Sequence, residues 1–471
     1  MAQKIITIDP VTRIEGHSKI TLKLDEAGKV DEARFHVTQY RGFEKIAIGR
    51  PFYEMPALMG RICGICTISH MLASAQACED IMSVRVVGTA ATLRKIVNYA
   101  SVIQSHALAF FHLGSPDILL GLESDPAKRS IFGLMSSHPE IARDGIRLRR
   151  FGQRVIELLA SKRIHPDWIV AGGVTEPLSE DAAKEIREML PEAYSIVQRT
   201  IEWFIRSLED FEEEVNTFGH FPSLFLSLVN EHEDVLELYR GRLRMVDENG
   251  ATVADFPRED FEDYLGEAVE PWSYLKFPYF KPQGYPDGIY RVGPLARLNT
   301  VSNTGTPLAD KELADFRSRN HLSSFNYHLA RLIECLHSVE MIERLLDDPN
   351  VMKKRVRARA EANKEIGVGV TEAPRGTLIH QYEVDDYGMI TGANLQVATT
   401  HNNLAMNKGI GQAACHYIDG KKLTEGVLNR VEAVIRAFDP CLSCSTHAWD
   451  SMPLQVTLIG PDDEVYDEIQ R

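Results

Sequence analysis

The sequence predicts a helix-dominated α+β protein, and three observations carry that prediction. Long apolar runs at helical spacing recur at Ile68 to Met82, Thr92 to Leu113 and Asn320 to Leu346. Shorter stretches alternate polar and apolar residues around turn signals, as strands do, at Ser18 to Val37, Phe221 to Phe256 and Gly367 to Thr400. No internal repeat, low-complexity tract or clear linker separates them.

In chain order, Ser18–Leu24 and Lys29–Val37 predict a hairpin turning on Asp25-Glu26-Ala27-Gly28. Thr92–Leu113 is apolar on nearly every side, so this helix is expected to be buried. Ser179 is an N-cap with Glu180 and Asp181 in the first turn, and Pro191 reads as the start of a further helix reaching about Val215. Asn249-Gly250 is a hairpin turn, and Pro257–Arg291, rich in Pro, Tyr and Gly, reads as an irregular excursion. Val427–Phe438 is a helix that stops against Asp439-Pro440.

Composition is that of a soluble globular chain, with 44% hydrophobic and 25% charged residues and a mean hydropathy of −0.19. A formal charge of −15 leaves nothing to neutralise phosphates, which argues against nucleic acid and anionic membrane surfaces as partners. No apolar run is long enough to span a membrane, and the first residues lack the apolar core of an export signal, so the expectation is a cytoplasmic protein without membrane insertion. In that compartment cysteines serve as ligands or catalysts rather than disulfides.

The seven cysteines include two Cys-x-x-Cys pairs, Cys63-Gly64-Ile65-Cys66 and Cys441-Leu442-Ser443-Cys444, Cys441 following Cys66 by 375 positions. Four thiolates suit zinc or an iron–sulfur centre by geometry alone. A structural zinc module keeps its pairs within a few tens of residues, so this gap fits it poorly, and a single redox pair would leave the other idle. Cys78, Cys335 and Cys415 read as small buried hydrophobes. His70, His106 and His112 read as satisfied helical residues rather than ligands.

The neighbours of the cysteines narrow the choice. Arg61 to His70 and Asp439 to His447 resemble the two signature motifs of the large subunit of nickel–iron hydrogenases. Thr12-Arg13-Ile14-Glu15-Gly16-His17, Arg41-Gly42-Phe43-Glu44, Glu372-Ala373-Pro374-Arg375-Gly376 and Leu395-Gln396-Val397-Ala398-Thr399-Thr400 are similar to further family motifs, in the family's order. The resemblance spans nearly the whole chain. It implies one large-subunit domain over 1–471, with central long helices and small sheets.

The resemblance also implies roles. Cys63 and Cys441 would be terminal nickel ligands, and Cys66 and Cys444 would bridge nickel to an iron carrying cyanide and carbon monoxide. Arg375, held by Pro374, would lie over the metals near the cyanides, and Thr399 would offer a hydroxyl to them. Glu15 would take the proton from a terminal cysteine; read without the resemblance, it is equally a helix-cap or hairpin-edge carboxylate. Asp439 would stand beside a terminal cysteine. Ser105 would fall where many relatives carry an aspartate, leaving one fewer charge above the metals. Glu44, the Leu395 carbonyl and His447 would hold a magnesium-like divalent ion.

His447 is where the mature chain of most relatives ends, so the resemblance makes 448–471 an extension removed by a maturation endopeptidase. That segment reads as a strand, Leu454–Ile459, and an acidic end with Asp462, Asp463, Glu464, Asp467 and Glu468. Without ligands for an electron relay, the chain needs a small iron–sulfur subunit. The wording of Gly367 to Glu372 and Thr400 to Asn403 is most similar to the cytosolic bidirectional, NAD-reducing group, which implies diaphorase subunits binding FMN and NAD(P). No Gly-x-Gly-x-x-Gly opens a helix here, so the nicotinamide would bind elsewhere. The competing readings are a cytosolic hydrogenase with another acceptor, a relative of the quinone-site subunit of respiratory complex I, and a structural metal-binding scaffold. Relatives of the complex I kind have generally lost the cysteine pairs.

Overall fold

The computed structural model describes residues 5–418, 423–447, 455–459 and 465–470, the last two stretches as backbone strands. Near the N-terminus, β1 (Ile5–Ile8), β2 (Ser18–Leu24) and β3 (Val30–Val37) form an antiparallel sheet. The inward face of β2, with Ile20, Leu22 and Leu24 buried, obeys the period of two read from the sequence. Cys66 immediately precedes α1 (Thr67–Ile81), which is buried along almost its whole length.

Four helices make the core: α2 (Gly88–Ala107), α3 (Pro139–Ala160), α4 (Glu180–Ser207) and, later in the chain, a helix over Tyr327–Leu346. α2 packs on α3, α3 on α4, and the later helix on both α2 and α4. At its end α2 widens into a π-helical turn, Leu108–Gly114, so the predicted run to Leu113 holds with a local change of pitch. Pro191 does not start a helix; it lies inside α4. Pro191 and Arg187, whose carbonyl loses its donor, both face solvent, while Ile186, Leu190, Ala193 and Val197 stay buried on one unbroken stripe. That packing offsets a proline cost of about 3 kcal/mol.

Within the strand-like stretch Phe221–Phe256, β4 (Leu224–Val229), β5 (Arg242–Val246) and β6 (Thr252–Phe256) form an antiparallel meander, with Gly250 in the predicted hairpin turn. The excursion that follows is more ordered than its composition suggests, because Leu265–Ala268 pairs antiparallel with Phe277–Phe280. It leads into α5 (Pro294–Thr300), then α6 (Tyr327–Leu346), which starts later than expected because a 3-10 turn over Ser324–Asn326 precedes it.

β7 (Ile366–Ala373), β8 (Gly376–Val384) and β9 (Ile390–Gln396) form an antiparallel sheet that lies on α1. A Cβ at Gly369 would stand 1.9 Å from the Ala73 carbonyl oxygen, so glycine lets this sheet touch the helix that follows the first cysteine pair. α7 (Asn403–Tyr417) covers β3, and α8 (Glu425–Phe438) packs on α7 before ending at Asp439. Cys415, expected to be buried, is exposed on α7, because Met406, Ile410, Ala413 and Ala414 form the inward face.

In the tail, β10 (Gln455–Ile459) pairs antiparallel with β11 (Val465–Gln470). The acidic end is therefore a second strand where it includes Asp467 and Glu468. Pairing across a short connection satisfies backbone groups whatever the side-chain charge. Leu454, Asp462, Asp463 and Glu464 lie outside the described residues. Among the described residues no helix is long and apolar enough to cross a membrane.

Candidate metal centre

The first cysteine pair occupies the turn that enters α1. Two backbone N–H groups, of Ile65 and Cys66, donate to Cys63 Sγ at 3.2 and 3.4 Å, an arrangement that suits a thiolate at a helix N-terminus. Thr67 donates from its hydroxyl to the Cys63 carbonyl, fixing the turn. In the second pair Cys441 caps, and Cys444 lies within, a single helical turn, Leu442–Ser445, begun after α8 stops. Asp439 takes the left-handed conformation there, φ +52°, which an aspartate tolerates better than most residues.

The chain between Asp9 and Ser18 crosses to this second pair. Glu15 and Cys441 form a parallel β-bridge, the Leu442 amide donates to the Glu15 carbonyl at 3.2 Å, and the Ser443 amide donates to Glu15 Oε2 at 3.0 Å. Glu15 thus does cap the helical turn, and it sits beside a cysteine of the pair as well. Gly16, at φ +89°, allows the approach, since a Cβ there would lie 2.6 Å from Leu442 Cβ.

These contacts bring together all four predicted thiols. Their ligand atoms lie within 4.8 Å of one another and are buried. The Sγ atoms of Cys63 and Cys441 are 3.6 Å apart, those of Cys66 and Cys444 are 3.3 Å apart, and Cys441 and Cys444 approach to 2.6 Å. None of these is a disulfide bond length. Hydrogen bonds from Cys441, Cys444 and Cys63 pull the Cys66 thiol well below its usual range, whereas burial and the neighbouring sulfurs push Cys444 well above it. Four buried sulfurs cannot all shed protons without a cation among them; a soft divalent metal is such a cation, and the donor set fits one.

Arg375 is only 4% exposed, which excludes a surface salt bridge. It forms the tip of the β7–β8 hairpin with Pro374, because Ala373 pairs with Gly376 across it. Its Nε donates to the Asp439 carbonyl at 2.6 Å, its Nη2 to Asp439 Oδ1 at 3.1 Å, and its Nη1 to Ser105 Oγ at 3.4 Å. Burial opposes the charge on Arg375, but Asp439 and the thiols of Cys441, Cys66 and Cys63 together raise its pKa well above normal. Burial raises Asp439 too, aided by Cys66 and opposed by Arg375. The two rise for different reasons: burial disfavours the charge of Asp439, whereas the negative neighbours of Arg375 outweigh its burial. Thr399 Oγ accepts the Cys441 amide at 2.9 Å.

Glu44 Oε1 accepts the Leu395 amide at 2.9 Å and lies 3.4 Å from His447 Nδ1. Both ring nitrogens of His447 are buried without a hydrogen-bond partner, so its contact with Glu44 is proximity rather than an aligned bond. Burial works to raise Glu44, yet His447, the Leu395 amide and Lys276 hold it below the ordinary carboxylate range. A charged carboxylate beside an unpartnered imidazole fits a hard divalent ion.

His106 donates to Glu334, and His70 Nδ1 lies 3.1 Å from His380 Nε2, so these two have protein partners as expected; His112 Nδ1 has none. Several residues near the centre escaped sequence reasoning. His380 joins His70 to Tyr382, buried Arg331 donates to the Ala437 carbonyl at 2.6 Å, and Arg297 underlies the Arg375 turn. For Arg297 the signal was an arginine inside the apolar stretch Val292–Leu298.

The family described as nickel-dependent hydrogenase matches residues 41–142 and 239–447, and the HoxL-like family HoxH matches 5–40. The chain is 40% identical over 492 residues to the NAD-reducing hydrogenase HoxS subunit beta of Cupriavidus necator, covering 100% of both chains. It is 41% identical to a chain of the F420-non-reducing hydrogenase vhu of Methanococcus voltae, over 87% of this chain and 98% of that one. Among solved structures, a NAD+-reducing [NiFe]-hydrogenase in the H2-reduced state superposes with a TM-score of 0.92 at 44% identity, covering 95% of this chain and 100% of that chain.

Proposed function

The chain belongs to the nickel-dependent hydrogenase family as a large, catalytic subunit, and from that premise we propose that it cleaves hydrogen reversibly and heterolytically at its four-thiol centre and passes the electrons through a small iron–sulfur subunit to NAD(P). The observation that carries the reading is the burial of four thiols within 4.8 Å of one another, from pairs at opposite ends of the chain. The chemistry supplied by a bound nickel–iron pair, with cyanide and carbon monoxide on the iron, is polarisation of hydrogen and uptake of its electrons. Cys63 and Cys441 would hold the nickel as terminal ligands, and Cys66 and Cys444 would bridge.

The surrounding residues handle the proton and exclude water. Glu15 is only partly buried and is bound to the backbone beside Cys441, so it can take a proton at its carboxylate and pass it outward. Arg375 lies over the thiols, held from one side by Asp439, and offers donors to the diatomic ligands. Pro374 stiffens that turn. Thr399 uses a lone pair on the Cys441 amide, which leaves its O–H to donate. Glu44, the Leu395 carbonyl and His447 would hold a magnesium-like ion that braces the second pair.

We assign 1–447 to the mature domain and 448–471 to an extension removed by an endopeptidase after nickel arrives. The family match stops at residue 447, in keeping with this. An intact tail in active enzyme, seen by mass spectrometry, would refute it. A diaphorase binding FMN and NAD(P) would complete a cytoplasmic complex. Similar identity to F420-non-reducing relatives favours a second reading, the same hydrogenase with another acceptor. Hydrogen-dependent reduction of NAD and NADP by the purified complex separates the two. One nickel and one iron per chain with cyanide and carbon monoxide infrared bands supports the enzyme, whereas zinc alone would favour a scaffold.

A further inference from the structure

Arg297, Glu334 and Glu372 have no exposed side-chain surface. Burying such a cluster gains little stability over an apolar one of equal volume, so its geometry is the better guide to its use. Arg297 carries five N–H donors, and each has a partner. Nε and Nη2 donate to Glu334 Oε1 and Oε2, both at 2.6 Å. Nη1 donates to Glu372 Oε2 at 2.7 Å and to the Ala373 carbonyl at 2.9 Å, and Nη2 donates also to the Pro374 carbonyl at 3.0 Å.

The two carbonyls belong to the residues immediately before Arg375. They sit where β7 turns into β8, and Pro374 has no N–H with which to make a turn of its own. The other side of the fork is anchored away from that sheet. Glu334, on α6, also accepts His106 Nε2 at 2.7 Å. Burial drives His106 down to about 4 and Arg297 holds Glu334 down to about 2 against its own burial, so a neutral imidazole donates to a carboxylate. His106 follows Ser105, whose hydroxyl receives Arg375 Nη1. A closed circuit results, from Arg375 through Ser105, His106, Glu334 and Arg297 to Pro374 and back.

We infer that Arg297 is the positioning residue of Arg375, a buried fork that sets the height of the hairpin tip over the four thiols. The inference rests on the proposed role of Arg375 for its effect on turnover, but not for its effect on the turn. Lysine at 297 keeps a charge opposite Glu334 and loses the planar fork that reaches two carbonyls and two carboxylates together.

The test uses the assembled, metal-loaded complex carrying Arg297→Lys. Nickel content is expected to match the parent, and the melting temperature to fall by several degrees, because buried carboxylate and carbonyl groups lose their donors. Amide hydrogen exchange over 373–378 should rise about ten-fold, with exchange in 88–107 and 327–346 unchanged. Hydrogen-uptake kcat should fall about ten- to a hundred-fold at constant KM, the effect of misplacing a catalytic group by about 1 Å. In Arg297→Lys combined with Arg375→Lys, the 297 change should add no further loss. Unchanged exchange over 373–378, or a rise spread through the core helices, would overturn the inference. If Arg297→Lys does not assemble, Glu334→Gln, which keeps shape and removes the charge, should loosen the same segment, and unaltered exchange there overturns the inference equally. Normal turnover in Arg375→Lys alone would defeat the role of Arg375, while the exchange result would still decide the clamp.

Discussion

Arg375 donates to Asp439 twice, from Nε to the backbone carbonyl and from Nη2 to Oδ1, and so ties a hairpin tip to the residue two before Cys441. Lysine can replace the charge but not both bonds. Arg375→Lys is expected to keep nickel and to lose hydrogen uptake by about a hundred-fold or more. Uptake near the parental rate would remove Arg375 from the chemistry.

Cys441 has its amide on Thr399 and its sulfur within 3.6 Å of Cys63. Cys441→Ala should yield protein without bound nickel, read by metal analysis. Cys415→Ser, on the exposed face of α7, should bind nickel and turn over normally. Nickel retained in the first variant, or lost in the second, contradicts the ligand set.

Glu15 bonds the Ser443 amide through one carboxylate oxygen, and glutamine can accept that bond too. Glu15→Gln should therefore keep its metals and fold while hydrogen–deuterium exchange activity falls about a hundred-fold or more. Exchange at the parental rate would take Glu15 out of the proton route.

Burial lowers His106 and His337 to about 4, and His328 and His401 to about 3. Each stays neutral when folded and gains a proton near pH 6.5 when unfolded. The unfolded chain therefore binds more protons below that pH, and stability falls as pH drops from about 7 toward 4. At pH 5 the loss is about 2 kcal/mol for each histidine. Thermal melts of the complex should move down by several degrees between pH 7 and pH 5; a flat profile would mean that these imidazoles are solvated or charged in the native state.

Much of the site was legible because its residues lie in short motifs whose spacing is local. The pairs Cys63/Cys66 and Cys441/Cys444, the Glu15 and Arg375 segments, and the order in which they follow one another all stand in the sequence. So do the period-two pattern of β2 and the apolar runs of α1, α2 and α6. Pro191 misled because a local rule could not see that Arg187 and Pro191 share a solvent face, away from the buried stripe that holds α4 in place. Cys415 misled because an apolar setting does not show that it falls at the rim of the α7–β3 contact, where its thiol meets the Val30 carbonyl and the residue stays exposed.

What the chain by itself determined is the inventory: four thiols, a carboxylate, a guanidinium and the helices to carry them. Tertiary structure alone decided how those parts meet. Glu15 reaches Cys441 through a bridge between segments 426 positions apart, which no local pattern encodes. β7, bare of a side chain at Gly369, lies close on α1, the helix that follows the first of the two buried cysteine pairs. Arg297 showed in sequence as one arginine in an apolar stretch, and its partners on α6 and β7 exist only after folding has removed the water that would otherwise have satisfied it.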